Sequence, residues 1–546
     1  MMSDFAPTTE QEQARGLFET GDSLALEAGA GTGKTSTLIL LAEQATGRRG
    51  QYIAFNKAIV TEAGGKMPGH VACNTAHSLA FRAVGKHHAH RLRSSRRMRS
   101  IDIANRLGIR PIKLTTQDGQ PKSLSESYLA GLTMRTLTRF CQSADLEPTE
   151  EHVPYIDGID IPPGRWENNR RVAKALMPFA AAAWRDAQDP SGTLPYKHDY
   201  YLKQWQLDGA KIGADFILFD EAQDANPVMV AVVAAQQHAQ LVWVGDSQQQ
   251  IYSFTGAVNA LASVPAAARA FLTQSFRFGP AIADVANHVL DMLGAELRLT
   301  GTDSIASTVC PVPEPDAILT RTNAAAVRHV LGAKADGTSV HLVGGGSEVV
   351  TFAKGARDLM AGRRTDHPEL ACFDNWGEVR DYVAQDEQGS ELRLMVSLVD
   401  EFGVDVILDA LENMVREDAA DLVVSTAHKA KGREWDSVQL GEDFPEDPTG
   451  EELRLLYVAV TRARRELDVS SVSMFRDWGQ DVQVPVVAAS PEESDSDLAV
   501  TLSHDEVIRI VRALEWQADP LAESIRAKLG DPDLDEGLAR GALPGA

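Results

Sequence analysis

Ala28-Gly29-Ala30-Gly31-Thr32-Gly33-Lys34-Thr35 follows a short apolar run, Leu24-Ala25-Leu26, and leads into Thr37-Leu38-Ile39-Leu40-Leu41, which reads as a helix. Strand, glycine-rich turn and helix N-terminus together make a phosphate cradle. Glycine permits the tight turn and the close approach of backbone N–H groups to phosphate oxygens. Lys34 is spaced to reach the β- and γ-phosphates, and the Thr35 hydroxyl to hold Mg²⁺. The first position is Ala28 where the motif usually has Gly, so the strict pattern misses by one residue. The strand before and the helix after are what separate a cradle from a chance match in coil. The stretch predicts an α/β protein that binds a nucleoside triphosphate.

At 546 residues the chain is long enough for roughly three to five domains with cores of their own. Its apolar and charged fractions, 44% and 24%, are ordinary for a globular protein. Met1-Met2-Ser3-Asp4 offers neither a basic n-region nor an apolar h-region, so no secretory signal is expected. The apolar runs around Ala181–Trp184 and Val228–Val233 are too short to span a bilayer. The expected location is intracellular, cytoplasmic and nucleoid-associated in a bacterial or viral setting, with no membrane partner. Cys73, Cys141, Cys310 and Cys372 have no paired spacing for zinc or an iron–sulfur cluster, and are expected to be reduced, buried, small hydrophobes.

The net charge of −24 speaks against a nucleic-acid partner until its distribution is read. A phosphate feels the surface within about a Debye length, roughly 8 Å. Lys86, Arg91, Arg93, Arg96, Arg97, Arg99, Arg106, Arg110 and Lys113 run together with His87, His88 and His90 interleaved, against one acid, Asp102. By itself the run fits either a solvated loop or a phosphate-facing patch.

Upstream of the cradle, Gln11 carries an amide able to donate to and accept from an adenine edge. Tyr52-Ile53-Ala54-Phe55 reads as a buried strand with Asn56 at its end, and His77 sits at a similar place. In parallel α/β sheets, ligand-facing residues gather at the carboxyl ends of strands. Phe216-Ile217-Leu218-Phe219 ends directly in Asp220 and Glu221, a buried strand that delivers two carboxylates to the sheet edge. Asp220 suits Mg²⁺, and Glu221 suits orienting and deprotonating a water. A third strand, Leu241-Val242-Trp243-Val244, leads to Gly245-Asp246-Ser247-Gln248-Gln249, polar groups suited to sensing a γ-phosphate. Far downstream, Arg277 and Arg462 each stand at a polar break in an apolar run and are candidate arginine fingers, worth on the order of 10³–10⁵ in rate.

Read together in this order, the blocks resemble the UvrD-like branch of superfamily 1 DNA helicases. The runs HKAKGREWD, LTQSFRFG, QQIYSFTGAVNAL and LLYVAVTRAR are closest in wording to the F-box DNA helicase family. Only 27 residues precede the cradle, too few for an F-box domain, so no F-box-dependent ubiquitin-ligase role is expected. The resemblance implies an α/β fold of two RecA-like P-loop NTPase domains with parallel sheets, each carrying a mostly helical inserted subdomain. ATP, with Mg²⁺, lies in the cleft between them and single-stranded DNA runs across both. Carried over residue by residue, Ala28, Gly29, Ala30, Gly31, Thr32, Gly33, Lys34 and Thr35 form the cradle, Gln11 reads adenine and Phe276 stacks on it. Thr35 and Asp220 hold the metal, Glu221 is the catalytic base, Gln249 the γ-phosphate sensor, Arg277 and Arg462 the fingers, and Glu434 lies near the nucleotide. Phe55, Asn56, His77, Tyr252, Phe254, Asn323 and His428 match DNA-contacting positions, where stacking is worth roughly 1–3 kcal/mol per base. The family usually has Arg where this chain has Thr255, and Leu where it has Arg433.

Motif spacing gives the expected boundaries: a first RecA-like domain at 1–85 and 194–270, with subdomain 1B at 86–193 holding the basic segment; a second at 271–332 and 418–484, with a short 2B at 333–417; and an acidic linker with C-terminal helices at 485–546. The implied activity is that of an ATP hydrolase, a 3′→5′ single-stranded DNA translocase and helicase in DNA repair or recombination, acting on single strands and 3′-tailed duplexes. The alternatives are a translocase that strips recombinase filaments with little unwinding, and a DNA-end-sensing ATPase subunit of a nuclease or defence complex.

Overall fold

The apolar runs before the cradle, before Asp220 and before Asp246 form strands, and each motif begins where its strand stops, whereas the run before Arg462 forms the helix Gly450–Val460. The computed structural model describes residues 6–476 apart from 55–56, 94–97, 116–120, 157–158, 160–166, 252–258, 265, 364, 366, 368, 371–372, 374 and 385–390. Fourteen strands are present among the described residues: β1 (Leu24–Ala28), β2 (Gly50–Ala54), β3 (Val71–Thr75), β4 (Ile112–Thr115), β5 (Pro121–Leu124), β6 (Phe216–Phe219), β7 (Gln240–Gly245), β8 (Ala268–Leu272), β9 (Thr308–Val309), β10 (Ala317–Thr320), β11 (Val340–Leu342), β12 (Leu422–Thr426), β13 (Trp435–Leu440) and β14 (Ala463–Asp468).

The first sheet is all parallel in the order β3-β2-β6-β7-β1-β8. Its central strands are apolar almost throughout, and every residue of β6 is buried, as helices on both faces require. Because β1 pairs with β7 and β8 in parallel register, Glu27 lies opposite Gly245 and Ala28 opposite Leu272. The carboxyl ends therefore bring the cradle, Asp220, Asp246 and the segment after β8 to one edge, where open α/β sheets bind ligands. The second sheet, also parallel, runs β11-β12-β10-β13-β14-β9. The chain thus has the expected architecture, two parallel-sheet α/β lobes.

Residues 86–193 hold the helices Ser100–Leu107, Glu126–Gln142 and Glu167–Gln188 and the antiparallel hairpin β4–β5. They pack around Ile103, Leu129, Leu137, Phe140, Val172, Leu176 and Trp184. The stretch 333–417 is different. It supplies β11 to the second sheet, and its helices Ser347–Met360, Glu391–Phe402 and Val404–Glu412 share one core with Ile318 of β10 and Val424 of β12. Phe352, Ala356 and Leu359 fall on one helical face and seal it onto the sheet, so this segment shares the lobe's core rather than standing apart. Strand β8 likewise runs past the expected limit at 270. Cys141 is buried and Cys73 half-buried, but Cys310 is exposed, contrary to expectation, because it follows the two-residue edge strand β9; Cys372 and the tail from 477 onward lie outside the described residues.

Candidate active site

The cradle leaves β1 and closes at Gly33, which caps the helix Lys34–Gln44 at φ 77° with no side chain blocking the helix N-terminus. Gly31 is also left-handed, at φ 74°. An uncapped N-terminus presents backbone N–H groups and the positive end of the helix dipole to an anion. The segment after β8 docks on this turn: the Phe276 N–H donates to the Gly31 carbonyl at 2.8 Å. A Cβ on Gly31 would come within 2.6 Å of Ser275 Oγ and 2.7 Å of the Arg277 Cβ. A Cβ on Gly33 would lie 3.5 Å from both Gln11 Nε2 and the Phe276 ring, so amide and ring flank one spot beside the cradle. The Phe276 ring is 47% exposed. Gln11 is partly committed: Oε1 accepts the Thr8 N–H at 3.0 Å and Nε2 donates to Thr37 Oγ1 at 3.1 Å, leaving each atom one further position.

Opposite the cradle, Asp220 is buried, accepting the Tyr52 hydroxyl at 2.6 Å and the Glu221 N–H at 2.9 Å. Burial, and then the charge of Glu221, push its pKa up. For Glu221 burial acts the same way but is outweighed by Lys34, Lys431, a hydrogen bond from Gln223 Nε2 and Arg462, so its pKa falls and it stays ionised. Glu221 has φ 53°, the one positive value among the described non-glycine residues. Such backbone costs on the order of 1–3 kcal/mol and persists where the surroundings over-determine it. Lys34 lies within electrostatic range of Glu27, Asp220, Glu221, Asp224 and Asp246. A lysine facing this many acids at an uncapped helix N-terminus, with a carboxylate oriented by a tyrosine, fits a triphosphate and its Mg²⁺.

The second lobe reaches the same place. Arg277 donates from Nε to Glu434 Oε2 at 2.8 Å and from a terminal nitrogen to the Thr461 carbonyl at 3.0 Å. Arg462 is 1% exposed and held by the Val458 and Arg433 carbonyls and the Thr461 hydroxyl, with no carboxylate among the described residues in ion-pair contact. Burial, and then the Arg277 guanidinium, push its pKa down to about 9. A buried cation with carboxylates nearby but none in ion-pair contact leaves its charge open to an anion from outside. Gln249 donates to Asp246 Oδ2 at 2.7 Å. Lys431 crosses between the lobes to Asp224 at 2.6 and 2.8 Å and to the Gln249 carbonyl at 2.6 Å.

Away from this cluster, His77 faces Asp199 at 3.3 Å. Asn323 accepts from Lys429 Nζ at 2.9 Å and donates to Glu348 at 3.2 Å, and His428 is half-buried in the helix Ala427–Ala430. Phe55, Asn56, Tyr252, Phe254 and Thr255 lie outside the described residues. Of the basic segment, Arg91 is drawn inside onto Asp186 at 2.6 Å and over the Tyr196 ring, and His88 stacks on the same ring. Lys86, Arg93, Arg106, Arg110 and Lys113 remain exposed. Arg433 pairs with Glu417.

Two family models match the chain: "UvrD/REP helicase N-terminal domain" over residues 54–263 and "UvrD-like helicase C-terminal domain" over 421–469. The chain belongs to the UvrD-like helicases. Among curated relatives, the "F-box DNA helicase protein 1" of Schizosaccharomyces pombe is 31% identical over 493 residues, covering 82% of this chain and 55% of the relative. The "F-box DNA helicase 1" of Gallus gallus is 30% identical over 524 residues, covering 86% and 49%. The "ATP-dependent DNA helicase UvrD2" of Mycobacterium tuberculosis is 25% identical over 324 residues, covering 46% of each. The chain spans about half the length of the curated relatives it matches. A solved structure described as "The structure of PRRSV helicase" aligns over 84% of this chain and 54% of its own at 12% identity and a TM-score of 0.29, too loose a likeness to argue from.

Several groups in the site of this UvrD-like helicase have no role assigned from sequence: Tyr52, Gln223, Asp224, Lys431 and Tyr457 each act through a partner distant in sequence. The linear signals are a third acid in Asp220-Glu221-Ala222-Gln223-Asp224, a lysine within HKAKGREWD and a phenol inside Leu455-Leu456-Tyr457-Val458. Among the described residues no helix is long and apolar enough to cross a membrane.

Proposed function

We propose that this chain is an ATP-driven single-stranded DNA translocase and helicase, moving 3′→5′ in DNA repair or recombination. The observation that supports it best is the buried Arg462, which comes from the second lobe, has no carboxylate in ion-pair contact among the described residues, and stands beside the cradle and acid pair of the first. That is half of a triphosphate site, and a site divided between two lobes lets hydrolysis change their separation. The names of the relatives support DNA as the polymer moved.

In this reading Gln11 and Phe276 hold the adenine, and the amide N–H groups from Gly31 to Thr35 with Lys34 hold the phosphates. Thr35 and Asp220 would hold Mg²⁺, which when bound would neutralise charge on the triphosphate. Glu221 orients a water and takes its proton. Arg277 and Arg462 engage the γ-phosphate, and its loss releases them, so the lobes part. Asn323, His428 and His77, with Phe55, Asn56, Tyr252 and Phe254, grip the strand alternately. The division into two lobes, with 86–193 as an inserted subdomain of the first, belongs to the same proposal.

The test is hydrolysis measured with single-stranded DNA, duplex, RNA and no nucleic acid, beside unwinding of duplexes tailed 3′ or 5′. Stimulation by single strands with unwinding from the 3′ tail is the expected result. No stimulation refutes the motor, and stimulation without unwinding moves the reading to the stripping of protein filaments.

A further inference from the structure

The reading above uses Glu221, Arg277 and Arg462, and the resemblance adds Gln249 as the γ-phosphate sensor, but both leave out Tyr457, a fully buried residue on the helix Gly450–Val460. Its neighbours Leu455, Leu456, Val458, Ala459 and Val460 are apolar and buried, so packing alone would be met by a phenylalanine. Burying a hydroxyl costs free energy unless it is hydrogen-bonded. Both bonds of Tyr457 cross to the first lobe: the hydroxyl donates to Asp246 Oδ2 at 3.0 Å and accepts the Ala30 N–H of the cradle at 3.3 Å.

Asp246 is fully buried and held by hydrogen bonds. Gln249 Nε2 donates to it at 2.7 Å and the Gln248 N–H at 3.0 Å, and its own N–H donates to Gln223 Oε1 at 3.1 Å. The amide of Gln223 in turn donates to Glu221. One phenol therefore touches the cradle and the single carboxylate to which the sensor and, through Gln223, the base are tied. Tyr457 also precedes Thr461, which caps this helix, and Arg462, the next residue, by four and five positions, and accepts the Thr461 N–H and hydroxyl on its carbonyl. The Arg462 guanidinium donates to the Val458 carbonyl and the Thr461 hydroxyl, so it is held by the same helix end that the phenol ties to the first lobe.

We propose that Tyr457 is a positioning residue: its hydroxyl sets the arginine-bearing helix against the cradle and Asp246, so that Arg462, Gln249 and Glu221 meet the triphosphate in one geometry. The inference rests on the ATP-hydrolysing reading above. Tyr457 touches none of the reacting atoms and acts through Ala30 and Asp246.

Tyr457→Phe in the full chain removes only the hydroxyl. Its single-strand-stimulated kcat should fall roughly 10–100-fold, with KM for ATP and binding of a fluorescent ATP analogue within about threefold of wild type. A residue that merely filled the core would lower thermal stability and leave kcat of the folded fraction alone. Asp246→Asn, which leaves one acceptor oxygen for three donors, cuts the same link from the other side and should give the same split. The double variant should lose no more than the worse single one. The inference is overturned if Tyr457→Phe keeps kcat within about twofold, or if the two losses multiply in the double variant. Should Tyr457→Phe fail to fold, an unchanged kcat in Asp246→Asn overturns it instead. Wild-type protein without single-strand-stimulated hydrolysis removes the functional reading and this inference together, whereas active wild type with an equally active Tyr457→Phe removes this inference alone.

Discussion

Glu221 combines a left-handed backbone with a carboxylate kept ionised by Lys34, Lys431, Gln223 and Arg462 against its burial. Replacing it with Gln preserves shape and one acceptor but removes the proposed base. Glu221→Gln is expected to bind ATP near-normally while hydrolysis falls on the order of 10²–10⁴-fold, read by nucleotide binding beside turnover; near-normal turnover would refute the assignment. Tyr52 is the other single-residue case, because its hydroxyl fixes one oxygen of Asp220. Tyr52→Phe should raise the Mg²⁺ concentration needed for half-maximal hydrolysis by about 10–100-fold, measured by Mg²⁺ titration at saturating ATP. Glu221 was legible because a paired acid ending an apolar run is a linear pattern. Tyr52 was not, since nothing local distinguishes it from any aromatic in a strand. Its role arises from β2 pairing with β6, which sets Tyr52 opposite Leu218, two residues before Asp220.

At the level of elements, the bridge from Lys431, after β12, to Asp224, after β6, ties loops of different sheets together. With side chains 9% and 4% exposed, this pair differs from the solvent-screened pairs elsewhere on the surface. Lys431→Met would leave a buried carboxylate uncompensated and should cost about 3–5 kcal/mol in chemical denaturation, with Asp224→Asn in the same chain recovering part of it. A second link joins the helix His198–Leu207 to the inserted segment through Lys203. Its Nζ lies over the Phe140 ring and donates to the Ser143 carbonyl at 3.1 Å and Gln206 Oε1 at 2.8 Å. Burial pushes the pKa of Lys203 down to about 8 from its ordinary 10.5. Below about 8 both folded and unfolded chains carry the charge, and its burial weakens the fold. Between about 8 and 10.5 the folded chain sheds the proton first, so stability rises with pH. Lys203→Met should abolish that rise relative to wild type, read by urea unfolding at stepped pH. The strands were legible in the sequence, because apolar runs stop at motifs. The place of β11 was not, since three residues carry too little pattern to reveal a partner eighty positions away, and pairing is decided by which faces the helices of 347–412 must cover.

Over the whole molecule, a net charge of −24 coexists with a locally basic surface on the inserted segment. Changing Arg93, Arg106 and Arg110 to Gln should weaken single-strand binding and reduce the slope of log K against log salt by roughly one for each phosphate no longer neutralised, leaving ATP binding alone. An unchanged slope would return that surface to a solvated face. Composition alone pointed the other way, and it took a position-by-position reading to find the segment. Even then, the internal use of Arg91 and His88 appears only in three dimensions, where Asp186 and Tyr196 claim them.

The described chain passes from the first sheet to the second once, leaving the edge strand β8 at Leu272 and entering the helix Pro280–Met292, which packs in the second lobe's core. Phe276 and Arg277 sit on that crossing, and the Phe276 N–H donates to the Gly31 carbonyl. A machine with a single joint between its jaws has few independent ways to open. Here the joint itself carries the ring beside Gln11 and one of the two guanidiniums, so any swing of one lobe displaces both together. In the proposed function, grip on the base and grip on the terminal phosphate would then be one motion, and cutting the peptide chain between Leu272 and Pro280 should uncouple them even with both halves folded and associated.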